Sequence, residues 1–331
     1  MNVTAEAPLR ARLWAYLEER FPPGAMAVFS GVTVLSAAAA AAAATGRAVG
    51  VDPGLALLAV GHLLTLLLLR VLDEHKDHER DVTAYPDRVL SRGLVTLGAL
   101  SRLGWTASAV ALLASAALGP VPLVAHALVV VFALLMAKEF FLGDLLRKDV
   151  FVYAAAHQPI NPLITGWLLV GVAARGTGAL DDLGAHLPPA LGWYVGAQFA
   201  LGFGFEVARK LWTPEEERPD LVDSYSSHAI GPRGGAALAL ALLLGGCAAV
   251  SVFVVRAGLP AWTHAAVGLC ALLCLVTVGR FAAAPFPGAS KKLQGAVGLG
   301  SLVLHAGLVA GAAAAHGFAV GLGAWGWGAG A

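Results

Sequence analysis

Long apolar runs alternate with short polar connections along almost the whole chain. A bilayer-spanning helix needs about 20 predominantly apolar residues. Nine stretches reach that length, at about 22–45, 53–72, 95–118, 121–141, 150–174, 189–208, 234–256, 259–281 and 293–318. The pattern predicts an all-α polytopic membrane protein with nine transmembrane helices. The first and last stretches are rich in Ala and Gly, and small residues let helices approach closely in lipid. The alanines of residues 37–44 therefore read as packing surface rather than as a linker. Residues 1–21 form an N-terminal arm, 22–318 a single transmembrane domain and 319–331 a tail. In the arm, Arg10, Arg12, Trp14, Tyr16 and Leu17 suggest a short amphipathic helix on the membrane surface. Glu6, Glu18, Glu19 and the long apolar run that follows argue against a signal peptide. In the tail, Trp325 and Trp327 look like interfacial anchors.

Composition agrees with this class. The chain is 58% hydrophobic and 13% charged, whereas soluble domains carry about 25% charged residues. A net charge of +1 with no basic tract gives no sign of a nucleic-acid partner. Cys247, Cys270 and Cys274 all lie in apolar stretches and show neither a disulfide framework nor zinc spacing. Of 22 Lys and Arg residues, 19 fall on the arm and the connections after the even-numbered helices. Positive charge collects on cytoplasmic loops, so the N-terminus and the charged connections are expected inside the cell.

One stretch, residues 66–93, carries the densest chemistry. An apolar helix climbs to Leu72 and runs straight into Asp73, Asp77 and Asp81. At i, i+4 and i+8 each carboxylate is turned by about 40° from the last, so the three share a helix face. Carboxylates crowded at the end of a membrane helix repel one another unless a cation sits among them. Oxygen ligands suit Mg²⁺, which commonly carries substrate phosphate as well. Arg88 and Arg92 lie just downstream, where they would meet that phosphate. His75 and His78, set amid hard carboxylates with no Cys nearby, make a poor soft-metal site.

A second charged segment closes the sixth stretch, four helices later. Glu206, Arg209 and Lys210 lead into Glu215, Glu216, Glu217 and then Asp223. Two such segments at matching positions suggest two clusters facing one cavity. In the fifth stretch, Tyr153, His157 and Asn161 share a face, and Pro159 and Pro162 would kink the helix. Polar groups in mid-span usually face the bundle interior and are often functional. An aromatic ring there could stabilise a carbocation. Lys138 ends the fourth stretch, while Glu139, Asp144 and Asp149 read as solvated loop charges. His62 reads as a hydrogen-bonded core histidine, and His126, His264, His305 and His316 form no constellation.

These motifs resemble those of the UbiA superfamily of intramembrane prenyltransferases. That family's first motif is Asn-x3-Asp-x3-Asp followed by Arg-Pro-Leu-x-Ser-Gly. Here Asp73, Asp77 and Asp81 precede Arg88-Val-Leu-Ser-Arg-Gly93, with Asp73 in place of Asn and Val89 in place of Pro. The second motif, Asp-x3-Asp, is represented by Glu206 and Lys210, so a cation replaces the second carboxylate. The resemblance implies a UbiA-like bundle around a central cavity in a bacterial plasma membrane, its mouth cytoplasmic. It implies Mg²⁺ as cofactor, held by Asp73, Asp77, Asp81 and Glu206. It implies a prenyl diphosphate donor, contacted by Arg88, Arg92, Lys138, Arg209 and Lys210. Tyr153, His157 and Asn161 would then act catalytically in transfer to an acceptor, an aromatic or quinone precursor or a lipid. A terpene cyclase using the donor alone and a non-catalytic isoprenoid-binding protein are the alternatives.

Overall fold

In the computed structural model the described residues are 3–175, 188–213, 216 and 230–321. The elements in chain order are α1 (Leu9–Arg20), α2 (Pro23–Thr45), β1 (Val49–Val51), α3 (Pro53–Ala84), α4 (Leu97–Leu118), α5 (Pro120–Ala137) and a 3₁₀ turn (Glu139–Phe141). They continue as α6 (Gly143–Leu146), α7 (Val150–His157), α8 (Ile160–Ala173), α9 (Pro189–Arg209), α10 (Gly231–Arg256), α11 (Thr263–Ala283), α12 (Ala289–His316) and β2 (Phe318–Val320). Among the described residues, seven helices are long and apolar enough to cross a membrane: α2, α3, α4, α5, α10, α11 and α12. The expected sixth stretch is α9. The expected fifth is broken into α7 and α8 around Gln158 and Pro159. Pro159 removes a backbone donor, whereas Pro162 sits in the first turn of α8, where a proline is tolerated.

Helix starts follow from local sequence. Pro opens α2, α3, α5 and α9, a position where its missing N–H costs no intrahelical bond. Asp52 caps α3 by accepting from Leu55 N at 2.9 Å, and Thr96 caps α4 by accepting from Ala99 N at 3.2 Å.

The crossings pack in chain order into a closed ring, each on the next, with α12 returning to α2. Helix α2 also packs on α8 and α9 across the ring. Its Ala37–Ala40, Ala42 and Ala43 are buried in the main core, as the packing-surface reading expects. At one end of the bundle β1 and β2 pair in parallel, Val49 opposite Phe318. Beside them Arg175 Nη1 and Asp52 Oδ1 pair at 2.7 Å. This ties the exits of the first and last crossings together. The other end carries α1, the acidic end of α3 and the ends of α5 and α9. It is called the charged end below.

Helices α9 and α10 interlock through reciprocal glycines. A Cβ on Gly204 would sit 2.7 Å from Leu243 Cγ, and one on Gly246 would sit 2.6 Å from Leu201 Cγ. Gly246→Val is therefore expected to destabilise the bundle by about 1–3 kcal/mol. Thermal unfolding in detergent checks this.

Candidate functional site

Helix α3 continues as regular helix for three turns beyond Leu72, so the three aspartates do keep helical register. Asp73 and Asp77 lie side by side and partly open, with side chains 49% and 27% exposed. Lys76 Nζ stands 3.5 Å from Asp73 Oδ1, and Arg80 Nη2 is 3.3 Å from Asp77 Oδ2. Each carboxylate thus has a cation one turn away. Among the described residues, no group of three or more His, Cys, Asp or Glu converges as a metal cluster. Asp73 and Asp77 remain two adjacent oxygen donors, which is the protein share Mg²⁺ usually takes when phosphate supplies the rest.

Asp81 is placed differently. Its Oδ2 accepts from Arg88 Nη1 at 2.5 Å and lies 3.8 Å from Arg20 Nη2. Arg88 also stacks its guanidinium on the Tyr85 ring, 3.6 Å from the centroid. Arg92 Nη2 donates to Val3 O at 3.4 Å. The two downstream arginines therefore already have partners at the charged end, which an arriving phosphate would exchange.

The residue that sequence reading passed over is Glu74. It is 2% exposed, and its Oε1 accepts from Arg20 Nε and pairs with Arg70 Nη2, both at 2.8 Å. The Tyr16 hydroxyl donates to the same oxygen at 3.4 Å. Burial, and then the Glu74 carboxylate, pushes the Tyr16 phenol well above the ordinary tyrosine range. Burial opposes the charge on Arg20, but its bond to Glu74 more than restores it, so its pKa is raised. Helix α1 is thereby docked onto the charged end of α3. Further ties hold it: Glu19 accepts from Val89 N, and Arg12 Nη1 donates to Leu94 O at 3.0 Å. Residues 89–95 join Tyr16 and Phe21 in a second apolar cluster against α3 and α4. The signal for Glu74 was present in the i, i+4 spacing of Arg70 and Glu74, but nothing local pointed to Arg20.

In α7, Tyr153 and His157 stack with ring centroids 4.0 Å apart and planes 15° from parallel. Lys76 Nζ sits over the Tyr153 ring, 5.6 Å from its centroid, which links α7 to the aspartate segment. His157 Nδ1 donates to Tyr153 O at 2.7 Å, leaving Nε2 buried without a hydrogen-bond partner. Asn161 is reached only after the break. Its Nδ2 donates to Gln158 Oε1 at 2.8 Å, and its side chain packs on Gly202 of α9. Tyr153 and His157 are thus brought together, while Asn161 joins the interface of α8 and α9.

At the end of α9, Glu206 accepts from Arg209 at 2.5 and 2.8 Å and pairs with Lys210 Nζ at 3.3 Å. Ser290 of α12 donates to Arg209 O, and Gly288 N donates to Glu216 Oε1 at 2.6 Å. Glu206 therefore faces two cations in place of a second carboxylate. Glu215, Glu217 and Asp223 lie outside the described residues, as do Trp325 and Trp327.

Lys138 caps α5 and begins a left-handed turn in which Glu139, Phe140 and Phe141 take φ of 47°, 54° and 60°. Such a conformation costs about 1–3 kcal/mol per non-glycine residue and persists only where its surroundings enforce it. Enforcement comes from Glu139, which is buried rather than solvated and pairs with Arg147 Nη2 at 2.9 Å. Its hydrogen bond to Glu139 raises the Arg147 pKa. Gly143 leaves room for that carboxylate, and Phe140 packs edge-on to Phe132 and His157. Asp149 is exposed as expected, and it also caps α7 by accepting from Phe151 N at 2.7 Å. Lys138, Lys76, Glu139 and Arg147 rim a cleft of about 670 Å³ between α3, α4 and the end of α5.

Three buried histidines, His62, His126 and His305, are held in hydrogen-bond networks. His62 donates to Ser30, which donates to Ala59 O. Trp167, Ser115, His126, Thr65 and Gly61 O form one donor–acceptor chain joining α8, α4, α5 and α3. His305 bonds Ser36, which also bonds Tyr194. His75 donates from Nδ1 to Val71 O, and its Nε2 lies 2.7 Å from Ser101 Oγ.

The arrangement of crossings has solved counterparts. The chain superposes on the apo structure of a UbiA homologue from Aeropyrum pernix K1 with a TM-score of 0.63 and 21% identity, covering 84% of this chain and 97% of that one. The chain has the UbiA fold. A structure of a digeranylgeranylglyceryl phosphate synthase in membranes is also similar, with a TM-score of 0.61 and 14% identity over 91% of this chain and 99% of that one. No protein-family model matches the sequence, and neither does any curated protein sequence at a significant level. With seven helices among the described residues that qualify as spans, this UbiA-fold chain is an integral membrane protein.

Proposed function

We propose that this chain is a membrane prenyltransferase that moves an isoprenoid from a prenyl diphosphate to an acceptor. The observation that carries the reading is the end of α3, where a membrane helix presents Asp73 and Asp77 side by side and partly open. Lys76 and Arg80 stand one turn away from them. The two carboxylates suit Mg²⁺, and Asp81 could join them only by releasing Arg88. Bound there, the metal would neutralise charge on the diphosphate leaving group. By the distribution of Lys and Arg this mouth opens to the cytoplasm.

The chain's own residues then take the following roles. Arg88, Arg92, Arg209 and Lys210 exchange their present partners for phosphate oxygens. The allylic C–O bond breaks, and its electron pair leaves with the diphosphate. The Tyr153 ring, which already faces the Lys76 ammonium, offers its π face to the allylic cation. The acceptor bonds to that carbon and loses a proton, and His157 Nε2, buried and unpartnered, is set to receive it. The apolar bundle excludes water that would otherwise quench the cation.

The reading is tested by incubating the purified chain with a panel of prenyl diphosphates, Mg²⁺ and a membrane lipid and quinone extract. Diphosphate release and prenylated product are followed by mass spectrometry. Hydrocarbon or terpene alcohol from donor alone would favour cyclisation instead. The pairing of Glu206 with two cations favours a second reading, isoprenoid binding without turnover; tight donor binding with no diphosphate release would establish it.

Lys210→Met separates the two jobs of that lysine. If Lys210 meets the diphosphate, the donor KM is expected to rise about tenfold with kcat less affected, the loss of one charge-assisted contact. An unchanged KM would confine Lys210 to its pair with Glu206.

A further inference from the structure

We propose that the cleft between α3, α4 and the left-handed turn is a binding site for an anionic phospholipid, bordering the aspartate mouth. Its wall on α3 is formed by Leu68, Val71, Leu72, His75 and Lys76. On a helix, Val71 and His75 point about 160° away from Asp73, whereas Lys76 is only about 60° from it and pairs with it at 3.5 Å, so the cleft faces away from the aspartates along its apolar part and meets the mouth at Lys76. No residue of α2, α9 or α12 lines it. A ligand seated on the apolar part would lie beside a donor held at the mouth, with Lys76 on the border between them.

The lining divides by chemistry. One side, at the charged end, holds Lys76, Lys138 and Arg147; Lys76 pairs with Asp73 and Arg147 with Glu139, which leaves the cations in excess by one. The floor is apolar and includes Leu68, Leu134 and Ala137. Trp105 stands at the edge and is 53% exposed. Tryptophan sits at the headgroup level of bilayers. A cationic rim above an apolar groove suits a molecule with a phosphate at one end and an alkyl chain at the other. A zwitterionic lipid would bring its own ammonium against the lysines, and a free phosphate would leave the apolar floor unused. The excess of cations therefore selects an anionic headgroup. The left-handed turn helps build the rim, because the chain reversal at residues 139–141 brings Lys138 and Arg147 to the same cleft.

The test uses the full chain, delipidated in detergent and titrated separately with phosphatidylglycerol, phosphatidylcholine and inorganic phosphate. Retained lipid is counted by native mass spectrometry. One phosphatidylglycerol should be retained in preference to phosphatidylcholine, and inorganic phosphate should not displace it. Lys138→Met leaves the Glu139–Arg147 pair intact and should weaken retention about fivefold, the effect of one cation near an anionic headgroup. Ala137→Trp, which fills the floor, should also weaken it. Lys291→Met/Lys292→Met, on α12, should not. Four results would overturn the proposal. The first is equal retention of both lipids. The second is an equal loss in the Lys291→Met/Lys292→Met chain, which means general surface charge. The third is displacement by inorganic phosphate alone. The fourth is displacement by geranylgeranyl diphosphate, which would make the cleft part of the donor site.

Discussion

Asp77→Ala is expected to lower prenyl transfer by about three orders of magnitude or more. The effect of losing one group that stabilises developing charge is already about 10²–10³-fold, and a carboxylate that holds the metal contributes to both binding and leaving-group neutralisation. Asp77 is partly open, and its cation partner Arg80 is itself exposed. Removing it should therefore cost little stability, and the folded variant should simply fail to turn over. Asp77→Asn should recover little, because a neutral amide cannot balance a divalent charge. Asp81→Ala differs. It strips Arg88 and Arg20 of a shared partner, so activity and thermal stability should fall together. The measurement is diphosphate release at saturating donor over a Mg²⁺ titration, with thermal unfolding recorded alongside. Parental turnover in Asp77→Ala would remove the acidic segment from the mechanism.

The second large effect is on stability. Glu74→Ala should cost about 3–5 kcal/mol, the usual penalty for breaking a buried ion pair from one side. It takes the anion from Arg70, leaves Arg20 only its longer contact with Asp81, and deprives the Tyr16 hydroxyl of its acceptor. Helix α1 should loosen, so protease cleavage between α1 and α2 should quicken well below the unfolding temperature. Arg20→Met should cost less, because Glu74 keeps Arg70. The double variant Arg20→Met/Glu74→Gln should recover part of the Glu74→Ala loss. A Glu74→Ala chain that melts within a degree of the parent would show that the network is not what docks α1.

The consequences of Glu74 also show where sequence reading stops. Nine apolar stretches, the helical register of Asp73, Asp77 and Asp81, and the packing role of Ala37–Ala44 were legible because each rests on composition or on a period of 3.6 within one segment. The break at Gln158 and Pro159 was legible too, since a proline acts on its own helix. The sequence alone thus determined an all-helical membrane bundle with an acidic mouth at one end. Only the tertiary structure decided which charges face each other. Arg20 and Glu74 lie 54 residues apart, and no local rule brings them together. Asp81 sits in the same register as Asp77, yet docking of α1 and the return of residues 85–92 commit it to arginines. Glu139 looked like a loop charge until three left-handed residues folded it inward onto Arg147. Helical periodicity fixes which face of its own helix a side chain occupies. What stands opposite that face is fixed by how the helices close into a ring, and that is a property of the whole chain.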